Sequence, residues 1–182
     1  MSRQGPWTRG AVRPAVGSLC LVLVGGTLVG MVCTTHLVYN PSPSAPLGWY
    51  WRTAPPRTLR HGLLVLLDPP VTVKQEVALI NPAVAGYPWI KPIAALPGDR
   101  MCLEPDVVTI NGVDMGPRPL LHRYPQLPHR MGCTVVPPGS YVALSPYARA
   151  FDSRYVGVLA HATILGCVHP VWTWLASEVP HD

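Results

Sequence analysis

Charged side chains are scarce in this chain: it has 182 residues, of which only 13% are charged. Phe occurs once, and the net charge of +5 owes much to three arginines within the first 13 residues. Nucleic-acid binding is therefore not expected, because it needs a clustered basic face. Pro, in contrast, is abundant, with 23 residues. So much Pro excludes a helical bundle, since Pro breaks helix interiors, and predicts a turn-rich β domain.

Several chemical motifs are also missing. The chain has no CxxC or HExxH pattern, and its seven His are scattered, so neither a metal site nor a cofactor is expected. The G-x-S-x-G motif of one large hydrolase class is absent as well. Two of the five cysteines, Cys20 and Cys33, fall in an apolar stretch. Among Cys102, Cys133 and Cys167 we expect a Cys102–Cys133 disulfide, which an exported domain permits.

The first long segment without charge predicts a membrane anchor. No charged side chain occurs between Arg13 and Arg52. Residues 16–38 would span roughly 35 Å as a helix, enough for a bilayer core of about 30 Å. Because the basic residues come first, we expect a single-pass protein of a bacterial inner membrane, in contact with lipid, with a cytoplasmic N-terminus and a periplasmic domain. A cleaved signal peptide is the alternative, and it would export the domain too. The predicted parts are a basic cytoplasmic segment (1–15), the anchor (16–38), the periplasmic domain (39–175) and a tail (176–182).

Short apolar runs bounded by turn residues follow the anchor and predict strands. Asn111-Gly112 is a signal for a type I′ hairpin turn. Residues 117–131 contain four Pro and no periodicity, and we interpret them as a loop or insertion that acts as a spacer. The predicted strands are 63–67, 77–80, 89–96, 100–103, 107–110, 141–144, 156–159 and 163–168.

Only two of the 14 basic residues are lysines. Lys74 lies in a polar stretch and is predicted to be a surface residue. Lys91 is flanked by apolar residues and would share a strand face with Trp89 and Ile93. It could extend its ammonium group into water, or it could be buried with a lowered pKa and serve as a general base. Its candidate partner is the hydroxyl of Ser44, in a Pro-rich turn just after the anchor, where a serine can also be a simple turn former.

Four segments in order resemble the motifs of signal peptidases of the Ser–Lys type, and most closely their conjugative-transfer (TraF-type) branch, which matures pilin subunits. The apolar anchor before the first motif also matches. The first segment, Asn40-Pro-Ser-Pro-Ser-Ala-Pro-Leu-Gly-Trp-Tyr50, is similar to the family motif N-x-[ST]-x-S-x-P-x-G-[LW]-[YW]. The second, Lys91-Pro-Ile-Ala-Ala-Leu-Pro-Gly-Asp-Arg100, is similar to K-R-V-x-A-L-P-G-D-x, and the third is the hairpin at 107–113. The fourth, Phe151-Asp-Ser-Arg-Tyr-Val-Gly157, is similar to D-S-R-Y-x-G.

This resemblance implies roles for individual residues. Ser44 would be the nucleophile and Lys91 the general base. The side chain of Ser42 would join the backbone N–H of Ser44 in an oxyanion hole, which stabilises the negative charge that develops in acyl transfer. Asp152 and Arg154 would brace the site as an ion pair.

The resemblance also implies roles for residues in and beside these motifs. Asp99 and Ser153 would give structural support. Ala150 departs from the general enzymes, which carry at this position a serine that hydrogen-bonds the lysine amine. Ser145 is a candidate to orient Lys91 instead.

The resemblance also implies a fold and an activity. The fold would be mainly β, a mixed, mostly antiparallel and partly barrel-like domain behind one transmembrane helix. The activity would be that of a serine endopeptidase that processes an exported protein precursor, first of all a conjugative pilin, with hydrolysis or head-to-tail cyclisation as the outcome. The alternatives are a general leader peptidase and a non-catalytic anchored β module of a secretion or conjugation apparatus. A self-cleaving repressor is disfavoured, because it needs a soluble DNA-binding segment.

Overall fold

The computed structural model describes residues 23–27, 30–31 and 34–175. The chain separates into an N-terminal unit that ends at Leu37 and a main unit that begins at Val38. The described residues before Leu37 are helical. Part of the predicted anchor lies outside the described residues, as do the predicted basic segment and tail. Among the residues that are described, no helix is both long and apolar enough to cross a membrane.

Strands dominate the described part of the main unit; three short α-helices and one 3₁₀ turn, His161–Thr163, interrupt them. The strands are β1 Leu37–Asn40, β2 Leu47–Arg52, β3 Leu64–Leu67, β4 Trp89–Ala95, β5 Arg100–Leu103, β6 Val107–Ile110, β7 Val113–Pro117, β8 Gly132–Val135, β9 Ser140–Ala143, β10 Leu159–Ala160 and β11 Ile164–Trp174. The helices are α1 Val71–Ala78, α2 Leu120–Arg123 and α3 Ser153–Val156.

The strands form two sheets. The larger has the order β1-β2-β11-β3-β4-β9-β10 and the smaller has the order β7-β6-β5-β8. The strand pairs from β2 to β10, and those of the smaller sheet, are antiparallel. The long β11 pairs with β3 through its first half and with β2 through its second half. The predicted mainly β, antiparallel fold is confirmed, and neither sheet closes on itself within the described residues.

The hairpin between β6 and β7 is confirmed. Asn111 and Gly112 have φ angles of 52° and 80°, and a type I′ turn requires positive φ at both positions. In the same sheet, Cys102 on β5 lies opposite Cys133 on β8, and the two form a disulfide, the pair preferred from the sequence. Cys167 is free and buried.

Two of the predicted strands are wrong. Residues 77–80 contain the end of α1, whose buried positions Val73 and Val77 are four residues apart, as one helix face requires. Residues 156–159 begin at the end of α3 and reach β10 only at Leu159. The carboxylate of Asp152 caps α3 by accepting the N–H of Arg154, so a local side-chain bond overrides the strand preference of Val156.

The interpretation of residues 117–131 as a spacer is also wrong. Leu120, Leu121 and Leu127 are buried against Tyr155. The guanidinium of Arg118 is buried too, and it donates hydrogen bonds to the carbonyl oxygens of Arg154 (2.8 Å), Arg130 (2.8 Å) and Glu104. Such a segment is part of the core, because a buried guanidinium must find acceptors for its donors.

Candidate active site

The loop between β1 and β2 is organised around one buried amide. The Asn40 Nδ2 atom donates to the carbonyl oxygens of Ser42 (2.9 Å), Ala45 (3.0 Å) and Pro46 (3.0 Å). Its Oδ1 atom accepts the backbone N–H of Ser42 at 3.3 Å. Three prolines in the loop remove backbone donors and exclude a helix, so a side chain supplies the bonds that hold the turn. Asn40 thereby fixes the backbone on both sides of Ser44.

Ser44 is buried within this loop, with 6% of its surface exposed. Its Oγ atom accepts a hydrogen bond from the Ser42 hydroxyl at 2.9 Å, and its backbone N–H donates to Ser42 Oγ at 3.3 Å. The Ser42 hydroxyl therefore lies beside both the Ser44 hydroxyl and the Ser44 amide. The carbonyl oxygen of Ser44 accepts the hydroxyl of Ser145 at 2.6 Å, a contact between residues 101 positions apart.

Ser145 connects Ser44 to the predicted ion pair. Its backbone N–H donates to Asp152 Oδ2 at 2.9 Å, and its carbonyl oxygen accepts from Arg154 Nη2 at 2.7 Å. Asp152 and Arg154 are both buried, with Oδ1 and Nε 3.1 Å apart. The structure thus brings together the loop that contains Ser44 and the residues predicted to brace the site. The Ser145 hydroxyl, a candidate to orient Lys91, binds the Ser44 carbonyl instead.

The other two predicted support residues act outside the cavity. Ser153 Oγ accepts the backbone N–H of Ala143 at 3.0 Å and so ties α3 to β9. Asp99 lies in the turn after β4, where its carboxylate accepts from the N–H of Leu96 (2.7 Å) and from Asn111 Nδ2 (2.8 Å). These donors lower the pKa of Asp99, the Leu96 N–H having the larger effect.

Lys91 lies on β4, opposite Val65 of β3. It is 3% exposed and shares the buried face of β4 with Ile93, as predicted. Burial lowers its pKa to about 8; the charge of Asp152 opposes this shift and that of Arg154 adds to it. The Nζ atom lies 5.8 Å from the centroid of the Trp89 ring.

One cavity of about 350 Å³ joins the two predicted dyad residues. Ser42, Ser44 and Lys91 lie in its wall, and most of the remaining wall is apolar. A hydroxyl and a desolvated amine in the wall of one apolar cavity are the groups that nucleophilic acyl transfer needs, since the amine can take the proton of the hydroxyl. The apolar part of the wall comes from α1 and the segment after it, from β4 and from the segment before α3: Val77, Val84, Tyr87, Trp89, Ile90 and Phe151.

Sequence reasoning missed two functional features. Asn40 stood in the first motif, but no role was predicted for it. The α1 wall was predicted as a strand and so was not connected with the site. A signal for Asn40 exists in the sequence, because an Asn that begins a Pro-rich loop often hydrogen-bonds the backbone that follows it.

Comparisons with known proteins identify the family of the chain. The protein family described as signal peptidase, peptidase S26, matches residues 11–174. The chain is 32% identical to the conjugal transfer protein TraF of Agrobacterium fabrum over 185 residues, covering 90% of this chain and 97% of that protein. It is 31% identical to the conjugal transfer protein TraF of Agrobacterium tumefaciens over 155 residues, covering 74% of this chain and 81% of that protein.

Among solved structures, the chain is similar to a signal peptidase I from Enterococcus faecalis. The sequence identity is 20% and the TM-score is 0.36. The match covers 61% of this chain and 97% of the other.

Proposed function

The chain belongs to the signal peptidase family, peptidase S26, and from this premise we propose that it is a membrane-anchored serine endopeptidase with Ser44 as nucleophile and Lys91 as general base. The observation that carries the proposal is the shared cavity, in which both side chains are buried. With a pKa of about 8, roughly one Lys91 in ten is uncharged at pH 7, compared with about one in 2,500 for a free lysine.

The chemistry follows the two-step pattern of acyl transfer. Lys91 Nζ takes the proton of Ser44 Oγ as that oxygen attacks the peptide carbonyl carbon. The resulting tetrahedral intermediate collapses, the carbon–nitrogen bond breaks, and the lysine proton passes to the leaving amine. In the second step Lys91 takes a proton from water, or from a second amine, which attacks the carbonyl carbon of the Ser44 ester. The bond between this carbon and Ser44 Oγ breaks, Lys91 returns the proton to Ser44 Oγ, and the product is released. Hydrolysis and cyclisation differ only in this second nucleophile.

The oxyanion would be stabilised by the Ser42 hydroxyl and the Ser44 backbone N–H. Without substrate these two groups bond to Ser44 Oγ and to Ser42 Oγ. Both bonds are local: a turn of the Ser42 O–H frees the hydroxyl donor, and a rotation of the Ser42 side chain frees the Ser44 N–H for a substrate oxygen. Loss of one such donor typically costs about 10²–10³ in kcat.

The substrate we propose is a pilin-like precursor of a conjugation apparatus. The two relatives named above carry the name conjugal transfer protein, and the first is matched over nearly its whole length. A general leader peptidase would share the dyad but cleave many precursors. A panel of unrelated precursors separates the two, because broad cleavage would contradict the narrow substrate.

We further propose that the domain is periplasmic and lies at the inner membrane, anchored by residues 16–38. An exposed aromatic strip supports this location; it consists of Tyr39, Trp49, Trp172 and Trp174 on β1, β2 and β11. The ring centroids of Tyr39 and Trp49 are 5.0 Å apart, and those of Trp172 and Trp174 are 6.0 Å apart. Trp and Tyr are enriched at membrane–water interfaces, and β1 follows directly on the predicted anchor.

The test compares Ser44→Ala and Lys91→Arg with Lys74→Arg in cells that lack other peptidases. Arg retains the charge but cannot act as a base at neutral pH. Lys74 is the matched control, because it is the other lysine and its amine pairs with Asp68 at the surface, 2.6 Å away. We expect precursor processing to be lost in the first two variants and retained in the third. Processing by either of the first two would contradict the dyad and favour a non-catalytic module.

A further inference from the structure

The cavity has an unbalanced charge. Two cationic side chains, Lys91 and Arg149, lie in its wall, and no carboxylate does. Arg149 is exposed. Within the described part of the chain its guanidinium makes no ion pair, hydrogen bond or ring contact, whereas Arg118, Arg130 and Arg154 are all bonded to protein groups. Arg149 is therefore a cationic residue of the cavity wall whose guanidinium has no partner among the described residues.

The backbone that carries Arg149 is held firmly although its side chain is not. The Arg154 guanidinium donates to the carbonyl oxygen of Ala148 at 2.9 Å, and the N–H of Ala150 donates to the carbonyl oxygen of Tyr147 at 2.9 Å. Four residues before Arg149, the hydroxyl of Ser145 holds the carbonyl of Ser44. The backbone of Arg149 is thus tied to the same network as Ser44, and this fixes the point on the cavity wall from which its free guanidinium extends.

We propose that Arg149 is a specificity-determining residue that binds a carboxylate of the substrate near the scissile bond. The proposal rests on the proposed function, which requires Lys91 to be uncharged when it acts and so leaves Arg149 as the lasting cation of the cavity. A guanidinium presents a planar pair of donors that matches both oxygens of a carboxylate. That carboxylate can come from an Asp or Glu side chain, or from the C-terminus of a substrate cut near its end.

The experiment uses the full-length chain in detergent and Ala-rich peptides that carry Glu or Gln at successive positions around the cleavage site. Each peptide is made with a free C-terminal carboxylate and as the amide, which separates the two sources. kcat/KM is measured for the wild type, Arg149→Gln, Arg149→Lys and Arg57→Gln. Arg57 is the matched control, since it is exposed and does not line the cavity. The Kd of each peptide is measured separately on Ser44→Ala.

We expect one Glu peptide, or the free acids, to be preferred over the matched neutral peptide by about tenfold in both kcat/KM and Kd. The preference should vanish in Arg149→Gln, be partly retained in Arg149→Lys and be unchanged in Arg57→Gln. The inference would be overturned if every matched pair of peptides differed by less than about twofold. It would also be overturned if a preference survived in Arg149→Gln. Absence of Ser44-dependent cleavage would instead overturn the proposed function, while the Kd values would still report on Arg149.

Discussion

At the scale of single residues, the proposed catalysis depends on the burial of Lys91, which has a cost in free energy. Lowering a lysine pKa from 10.5 to about 8 corresponds to about 3 kcal/mol of lost charge stabilisation. No hydrogen bond to its Nζ offsets this cost within the described residues, and Asp152 opposes the shift only through its charge. A fold that keeps such a side chain at 3% exposure holds an amine that loses its proton near pH 8 rather than above pH 10.

The first prediction concerns the pH dependence of catalysis. Because Lys91 must be uncharged to take the proton, kcat/KM should rise about tenfold per pH unit up to about pH 8 and then level off. Peptide cleavage between pH 5.5 and 9.5 measures this, with Lys74→Arg as the variant that should keep the profile. A rate that is flat from pH 6 to 9 would mean that Lys91 is not the base.

The second prediction concerns stability. Replacing Lys91 by Met removes the buried amine and should raise the free energy of unfolding by about 2 kcal/mol at pH 7 while abolishing activity. In the wild type, the buried amine destabilises the folded state fully below pH 8, where the amine is charged in both the folded and the unfolded state. It fades between pH 8 and 10.5, because only the folded state has then lost the proton.

Urea unfolding of both proteins across this pH range checks the prediction. The stability advantage of Lys91→Met should shrink toward pH 10.5. An advantage that does not change with pH, or a variant less stable than the wild type at pH 7, would contradict the burial cost.

At this scale the motifs and the scarcity of lysine predicted Ser44, Ser42 and Lys91 as site residues, and the structure places all three in the wall of one cavity. The contact between Ser145 and the Ser44 carbonyl could not be predicted. It joins residues 101 positions apart, and no local pattern reports such a pair. The bonds made by Asn40 are local, but three acceptors for one amide are a property of the loop's three-dimensional path.

At the scale of elements, α1 and the segment 117–131 work together. Arg130 donates to both carboxylate oxygens of Glu76 on α1, at 2.9 and 2.5 Å, and to the carbonyl oxygen of Tyr155 at 3.0 Å. Val77, the next residue of α1, lies in the cavity wall. The segment predicted as a spacer therefore braces the helix that helps to form the cavity.

The third prediction tests this brace. Glu76→Gln should lower the free energy of unfolding by about 1 kcal/mol, and a double-mutant cycle with Arg130→Gln should give a coupling energy of similar size. KM should rise several-fold with little change in kcat, because the wall moves but the dyad does not. Lys74→Gln is the control on the same helix; its partly exposed ion pair with Asp68 should contribute less than about 0.5 kcal/mol. Independent, additive effects of the Glu76 and Arg130 changes would contradict the brace.

The strands around β4, β5, β6 and β9 could be predicted because turn residues and alternating apolar residues mark them. α1 and α3 could not, since valines that favour strands sit in both helices. β1 and β2 were not predicted, because the Pro-rich sequence between them gives no strand signal. β2 forms as a strand by pairing with the distant β11, and β1 lies next to β2 in the same sheet.

At the scale of the whole molecule, the proposed membrane location gives the aromatic strip a function. Trp172 is 71% exposed, which is unusual for so large an apolar side chain unless it contacts another phase or partner. Lipid contact at β1, β2 and β11 would hold the domain beside a precursor that is itself membrane-bound.

The fourth prediction is that Trp172→Ser combined with Trp174→Ser lowers the processing of a precursor embedded in vesicles by about tenfold but leaves cleavage of a soluble peptide within twofold. Val113→Ser, at an exposed apolar position on the smaller sheet, should change neither rate. Equal losses on both substrates would indicate a folding defect, and no loss on either would argue against lipid contact by the strip.

The lowered pKa of Lys91 can be measured directly, because the chain contains only two lysines. ¹³C-lysine labelling of the full-length protein should give two side-chain NMR signals, assigned with Lys74→Arg and Lys91→Arg. If the Lys91 amine is held in the apolar cavity, its signal titrates with a pKa of about 8. A Lys91 signal that titrates near 10.5, as a solvated lysine does, would show that the amine is not desolvated and is not suited to act as the base.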